Sequence, residues 1–334
     1  MIPWAMEDFE ILDLLPTGKQ HVSYSEIAEW MDCSWRHKLK HVDKIDDGDR
    51  GSIHTEFGQV IHDGMELYFN NGRVPHTEED IAALKKDFKK RIKALMDDPA
   101  IAAKMTLEDK SKLVDDMKEF SEAIVPMLSA AVLWLDETFP GWEPVSAEES
   151  LMEPITGLSG GVLFKGFVDA FIRYPKRRKV KKTSKKAAAN KIRLNVIQEE
   201  VEEAGKPDEY EFVEPREWIY HILDWKTTSW GWMPEKKQSE KTKMQIILYK
   251  YFFCQKKGLK PEQIKCSFVL LKRTPAKSRP DDRCELVTVS AGEVALKKSL
   301  DAVHNMVQQV RQGRAVKNKM SCKFCKFAYT EHCT

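Results

Sequence analysis

The chain has 334 residues, 42% hydrophobic and 32% charged, and its 54 Lys and Arg against 52 Asp and Glu leave a net charge of +2. That balance fits a globular protein of one large or two modest domains with a solvated surface. A field this weak confines any nucleic-acid affinity to local patches, and no apolar run approaches the ~20 residues that cross a bilayer.

The stretch from Met1 to Leu15 carries acids where a signal peptide would carry Lys or Arg, so export is not expected. The seven cysteines then belong to a reducing, cytoplasmic compartment, where metal ligation is a commoner use than structural disulfides.

Ser25 reads as the N-cap of a helix running to about Lys40. A second helix is predicted over Thr55–Asn70, with Phe57, Ile61, Met65 and Tyr68 along one face. Thr106 and Asp109 form a capping box relaxed to Asp at its last position. Beyond it Leu113, Met117, Phe120, Ile124, Leu128 and Leu135 recur at helical spacing, and Pro126 should kink or split that helix. After Pro140 and Gly141 the pattern changes. Ser146–Pro154, Gly161–Tyr174 and Tyr220–Thr227 are short β-branched and aromatic runs separated by turn residues. Met244–Gln255 is helical, Cys266–Lys272 is another strand, and Glu293–Arg311 is an amphipathic helix. Strands followed by a helix and a further strand predict an α/β fold with helices on a sheet. Between Lys176 and Arg193 stand ten Lys or Arg and no acid, and acids dominate from Glu199 to Glu217. This reads as a mobile insertion between two core strands.

Asp224-Trp225-Lys226 ends the apolar run Ile219–Leu223. Strand alternation sends Asp224 and Lys226 to one face, where the carboxylate can hold Mg²⁺ or Mn²⁺ and the ammonium can orient water or stabilise charge on a phosphate. Four other acid-x-Lys triplets begin at Asp87, Glu108, Asp116 and Glu235, and none follows an apolar strand. Gly166-Phe167-Val168-Asp169 supplies a lone acid inside the apolar run Val162–Ile172, where an unpaired carboxylate is costly to bury. A turn or strand-end Asp is the plainer account of it. His62 interrupts an apolar helix face, as a core histidine bonded to a carbonyl also would. Gln245 and Tyr249 share a helix face one turn apart.

Together these residues resemble the RecB-like branch of the PD-(D/E)XK nuclease superfamily. Its pattern is a helix with Gly-x-x-x-His, a strand with Gly-x-x-Asp, a strand with Asp or Glu-x-Lys, and a helix with Gln-x-x-x-Tyr. His62, Asp169, Asp224, Lys226, Gln245 and Tyr249 hold those positions in order, over roughly residues 20–334. The resemblance implies a mixed central sheet flanked by helices and a metal-dependent deoxyribonuclease, exonuclease in type. Metal would be held by His62, Asp169 and Asp224, water positioned by Lys226, and the site or the DNA supported by Gln245 and Tyr249. Relatives often add a Glu on the preceding strand, and Glu148 and Glu149 both qualify. The departure is the long gap between Asp169 and Asp224, which the charged insertion explains. The implied organisation is a mainly helical region over 1–140 with Cys33 and His62, a nuclease core over 141–312 with the insertion at 175–217, and a cysteine segment over 313–334 packed on the N-terminal region.

Cys322, Cys325 and Cys333 crowd the C-terminus and need a fourth ligand, for which Cys33 is the best placed. One distant cysteine plus a C-terminal triplet resembles the iron–sulfur nucleases of this superfamily, CRISPR-associated RecB-like exonucleases and recombination exonucleases among them. That resemblance implies a [4Fe-4S] cluster on four thiolates. Structural zinc, on four thiolates or on three with His332, uses similar spacings and stays open. Cys254, Cys266 and Cys284 sit in apolar segments and read as buried thiols.

DNA, single- or double-stranded, is the expected partner, and no membrane is. Lys176, Arg177, Arg178, Lys179, Lys181 and Lys182 are the candidate phosphate contacts, with a loop self-neutralised by the later acids as the competing account. Trp225 is expected to face the core, while Trp230 and Trp232 are open candidates for base stacking. The chain has no G-x-x-x-x-G-K-[ST] loop, so unwinding would fall to a partner such as a helicase, beside a recombinase or CRISPR integration protein. The rival reading is a non-catalytic DNA-binding or assembly subunit, against which the intact Asp169, Asp224 and Lys226 argue.

Overall fold

The computed structural model describes residues 14–103, 105–179, 210–212, 217–275, 278 and 282–333. Its centre is a six-stranded mixed sheet. The strands are β1 (His21–Ser23), β2 (Glu143–Pro154), β3 (Leu163–Pro175), β6 (Trp218–Thr228), β7 (Ile264–Lys272) and β8 (Cys284–Thr288), while β4 (Arg177–Lys179) and β5 (Tyr210–Phe212) form a separate two-stranded ribbon. The helices are α1 (Tyr24–Asp32), α2 (Ser34–His37), α3 (Ile53–Asn70), α4 (Glu78–Asp97), α5 (Pro99–Ala102), α6 (Leu107–Thr138), α7 (Pro234–Gln238), α8 (Glu240–Lys257) and α9 (Glu293–Arg311).

Strand alternation divides the core. On β7, Cys266, Phe268 and Leu270 join one hydrophobic layer, with α8 and α9, while Val269 and Leu271 join the other, with α3, α4 and α6. Helix α8 buries Ile246, Ile247, Leu248, Phe252 and Phe253 over most of its circumference, as a helix covered on both sides must.

Strand β3 is the hub. One edge carries β2, antiparallel, from Leu163 to Arg173. The other edge is shared, with β1 parallel against Leu163–Lys165 and β6 antiparallel against Ala170–Pro175. Gly166 to Asp169 therefore have no strand beside them on that edge among the described residues. The β3–β6 ladder stops at Ala170 and Leu223, one residue short of both Asp169 and Asp224.

Several expectations need correction. Ser23, not Ser25, caps the first helix, accepting from Glu26 N. That helix ends at Asp32, because Cys33 is extended (φ −161°), and the chain resumes as α2 and one π-helical turn, Lys38–Val42. Pro126 does not split α6, which runs unbroken from its Thr106–Asp109 capping box to Thr138. Most of the basic insertion, with Lys181 and Lys182, lies outside the described residues. Among the described residues no helix is long and apolar enough to cross a membrane.

Candidate active site

The site forms where the β3–β6 ladder opens. Asp169 has lost its ladder neighbour, and its Oδ2 accepts a hydrogen bond from Trp225 N at 2.8 Å. The same peptide segment steers His62, whose Nε2 donates to Trp225 O at 3.0 Å. Its Nδ1 faces Asp169 Oδ2 at 3.5 Å and Glu148 Oε1 at 3.6 Å, where it donates a proton when the ring is charged and offers a lone pair when that proton is displaced. Trp225 itself is buried, its ring beside Phe69 on α3, as expected for the residue between two site-facing side chains.

Lys226 Nζ lies 2.6 Å from Asp224 Oδ2. Asp224 is 1% exposed, and neither of its oxygens has a directed hydrogen bond among the described residues. A buried carboxylate whose Oδ2 has Lys226 and whose Oδ1 has no hydrogen-bond partner among the described residues is a costly arrangement for packing alone. From the other layer, Gln245 Nε2 on α8 donates to Tyr249 Oη at 3.3 Å. A Cβ at Gly166 would stand 2.8 Å from Tyr249 Cε1, so glycine there lets the tyrosine ring lie against β3.

The electrostatics are those of concentrated acid. Burial and the neighbouring Asp224 push the Asp169 carboxyl up to about 7. Burial works against the His62 imidazolium, but Asp169 and Glu148 outweigh it and hold that ring up at about 9. Burial, with Asp224 nearby, lifts the Tyr249 phenol to about 12. Burial opposes the Lys226 ammonium too, yet Asp224 and Asp169 hold its pKa above the ordinary lysine range.

One ligand atom each from His62, Glu148 and Asp169 lie within 4.8 Å of one another. Such a donor set, with Asp224 beside it, fits a divalent ion such as Mn²⁺ or Mg²⁺. Between the two glutamates, the fold distinguishes clearly. Glu149 is engaged by Lys257 at 2.6 Å, Ser146 at 2.8 Å and Lys256 at 3.0 Å, whereas Glu148 stands opposite Asp169 and turns toward His62. Glu148 achieves this at φ 45°, left-handed backbone inside a strand, a signal no sequence pattern carries. Tyr24 was also missed. Its hydroxyl donates to Lys241 O at 2.7 Å, and burial lifts its phenol to about 12, with Tyr249 and Asp224 adding to the rise. The four competing acid-x-Lys triplets all fall on helices, in α4, α6 and α7.

A second group, Glu26, His37 and His41, also brings three ligand atoms within 4.8 Å. Its partners come from the protein: His37 Nε2 to Glu26 at 3.1 Å, His41 Nε2 to Glu29 at 2.7 Å, Lys19 to Glu26 at 3.3 Å and Arg36 to Glu29 at 3.2 Å. Two carboxylates already matched by two cations make this a brace between α1, α2 and the π turn.

The four cysteines proposed as cluster ligands, Cys33, Cys322, Cys325 and Cys333, line one cavity of about 210 Å³. Hydrogen bonds close it: Asn318 N to Cys33 Sγ at 3.4 Å, Trp35 Nε1 to His332 O at 3.0 Å, and Asn318 Nδ2 to Asp32 O at 2.8 Å. Cys254, Cys266 and Cys284 are buried, and burial raises each thiol's pKa, to about 11 for the first two and about 12 for the third.

At the start of the basic insertion, Lys176 pairs with Glu217 at 2.7 Å. Trp232 packs on Phe268 under Lys236, which leaves Trp230, 75% exposed, as the one of the two stacking candidates that faces solvent.

Compared with curated proteins, the chain finds no match. The sequence profile of the PD-(D/E)XK nuclease superfamily matches residues 21–333, a span that takes in the site, the sheet and all four clustered cysteines, and the chain belongs to that superfamily.

Proposed function

We propose that the protein is a divalent-metal-dependent deoxyribonuclease of the RecB-like branch, an exonuclease acting in DNA recombination, repair or CRISPR adaptation. The observation that carries this reading is the meeting of His62, Glu148 and Asp169 at the opening of the β3–β6 ladder, with the Asp224–Lys226 pair beside them. The ion supplies polarisation of a phosphate oxygen and acidification of a water. Glu148, Asp169 and Nδ1 of His62 would hold it, with Asp224 as a further carboxylate beside them. Lys226 places a cation where charge develops on the phosphate during attack. Gln245 and Tyr249 fix the wall opposite His62.

The cysteine cavity supports a [4Fe-4S] cluster as the second cofactor. Structural zinc, on four thiolates or on three with His332, is the competing occupant, and iron, sulfide and zinc analysis of the anaerobically purified protein separates the two. The N–H of Asn318 aimed at Cys33 Sγ is the kind of contact that tunes such clusters.

The deciding experiment incubates purified protein with end-labelled single- and double-stranded DNA, with Mn²⁺ or Mg²⁺ and with EDTA. Metal-dependent release of labelled mononucleotide or short product is expected, and Asp224→Asn and Lys226→Ala should each cut the rate at least 100-fold, in line with loss of a group acting on the transition state. Binding without cleavage in every metal condition would move the protein to the non-catalytic DNA-binding class.

A further inference from the structure

The segment that carries three of the four cysteines presents a basic outer surface studded with apolar side chains. From Arg311 to Tyr329 the chain holds six Lys or Arg (Arg311, Arg314, Lys317, Lys319, Lys323 and Lys326) and no acid, in a protein whose charges otherwise nearly cancel. Its large apolar side chains face outward: Met320 is 94% exposed, Tyr329 90% and Phe324 83%. Only Phe327 is buried there. Scattered exposed hydrophobics are ordinary, but a cluster of them in a basic setting marks an interaction site. Lys317, Lys319 and Tyr329 stand at the rim of the cysteine cavity, while Phe324 lies outside it with Lys323 over its ring at 5.3 Å. Tyr329 is held at φ 62°, a left-handed backbone that disfavours a bulky side chain, by a hydrogen bond from its N–H to Cys333 O at 3.0 Å.

A relay of contacts runs from this segment toward the candidate active site. Ser321 Oγ donates to Asp32 O at 2.7 Å, and the Asp32 carboxylate takes Lys241 Nζ at 2.5 Å. Lys241 O in turn accepts from Tyr24, which shares the electrostatic field of Lys226, Asp224 and Tyr249.

We propose that this segment is a single-stranded DNA platform. Phe324 and Tyr329 stack on bases, and Lys317, Lys319, Lys323 and Lys326 bind the phosphates of a strand whose end lies in the active site. The inference rests on the nuclease reading and deepens it by assigning the form of DNA and its path. Alternating exposed rings and cations are the combination that binds single strands without sequence preference, since every base has a face to stack and every nucleotide a phosphate. A protein partner would take up the apolar side chains but gives no reason for six cations without an acid.

The test is fluorescence anisotropy with a labelled 20-nucleotide oligo(dT), in EDTA so that nothing is cleaved, on the full-length protein over four salt concentrations. Phe324→Ala should weaken binding about 10-fold, the contribution of roughly one stacked base. Phe324→Trp should restore affinity, and its indole emission should be quenched on binding. The double variant Lys323→Glu, Lys326→Glu should flatten log K against log[salt] by at least about 1.4, at ~0.7 for each phosphate that is no longer neutralised. Circular dichroism checks that each variant is folded, which the exposure of these side chains favours. Affinity within 2-fold of wild type for Phe324→Ala, or an unchanged salt slope in the double variant, overturns the platform and leaves the patch to a protein partner. Because the assay never involves cleavage, it stands apart from the nuclease test: active enzyme with unaltered binding in these variants fails the platform alone, and inactive enzyme fails the nuclease reading.

Discussion

Glu148 shows how much one residue can be asked to give up for a site. A non-glycine residue at φ 45° costs about 1–2 kcal/mol relative to extended backbone. Its carboxylate is also set beside Asp169, which it helps to push up. Nothing in the packing of β2 requires either cost, whereas the approach to His62 and Asp169 does. Glu148→Gly removes both at once. In the absence of metal the variant should melt close to the wild-type temperature, the relief being offset by the lost Glu148–His62 contact and by the greater freedom of glycine in the unfolded chain. Wild-type protein should gain stability on adding Mn²⁺, by about 2.7 kcal/mol at a hundred times its dissociation constant. The variant should gain far less. Thermal melts with and without Mn²⁺ decide the matter, and an undiminished Mn²⁺ shift in Glu148→Gly would remove Glu148 from the site.

Elements explain both what the sequence made legible and what it hid. Strands β3, β6 and β7 announce themselves through apolar runs between turn residues, because each is buried on two faces through its centre, whereas β2, with Leu151 its one buried residue, is marked by the turn residues around it. The order of His62, Asp169, Asp224, Lys226, Gln245 and Tyr249 was legible for the same reason, since each polar residue stands out against a core segment. Helix α4 went unread because its exposed faces carry most of its residues and only Leu84, Phe88 and Ile92 are buried. β1 is three residues long and too short for any period. The break at Cys33 and the left-handed turn at Glu148 are set by tertiary contacts, which no local pattern records. His221, on β6, also belongs to this scale. It is buried between the sheet and α6, hydrogen-bonded through Nε2 to Ser267 Oγ at 2.8 Å, with Phe139, Tyr174 and Lys265 as its neighbours. Burial, helped by the Lys265 charge, lowers its pKa to about 3. The ring is thus neutral in the folded protein while the unfolded chain takes up a proton below 6.5, so stability is complete above that pH and falls as pH drops toward 3. Between pH 7.5 and 5 this one residue should account for a loss of about 2 kcal/mol. His221→Gln keeps a hydrogen-bonding partner for Ser267 but cannot titrate. Urea denaturation at the two pH values should show the variant losing about that much less than wild type; equal losses would contradict the assignment.

At the scale of the whole molecule, the fold is closed by its ends. The sheet and its two layers are complete between β1 and α9, and the chain beyond Arg311 touches them chiefly through the turn that follows α1. Trp35, Asn318 and Ser321, together with Ser34 and Val316, make hydrogen bonds across that seam, each worth about 0.5–1.5 kcal/mol net. Few apolar side chains are buried there besides Phe327 and Cys33, so the seam on its own is a weak joint. A cluster bound by Cys33 on one side and Cys322, Cys325 and Cys333 on the other would supply the missing strength, since metal-binding energy at such a seam is folding energy. Cys33→Ser should therefore act at a distance from its own position. Anaerobically purified wild-type protein should be brown and resist trypsin in its last twenty residues, although Lys317, Lys319, Lys323 and Lys326 all offer cleavage sites. The variant should be colourless, and trypsin should remove that segment at least 10-fold faster. The active-site ligands lie on β2, β3, β6 and α3, outside the seam, so the trimmed core should still show a thermal shift with Mn²⁺. Equal protease resistance in the two proteins would mean that the hydrogen bonds alone hold the seam. Loss of the Mn²⁺ shift together with the segment would mean instead that the seam holds the active site in shape, with α1 and Tyr24 as the connection between them.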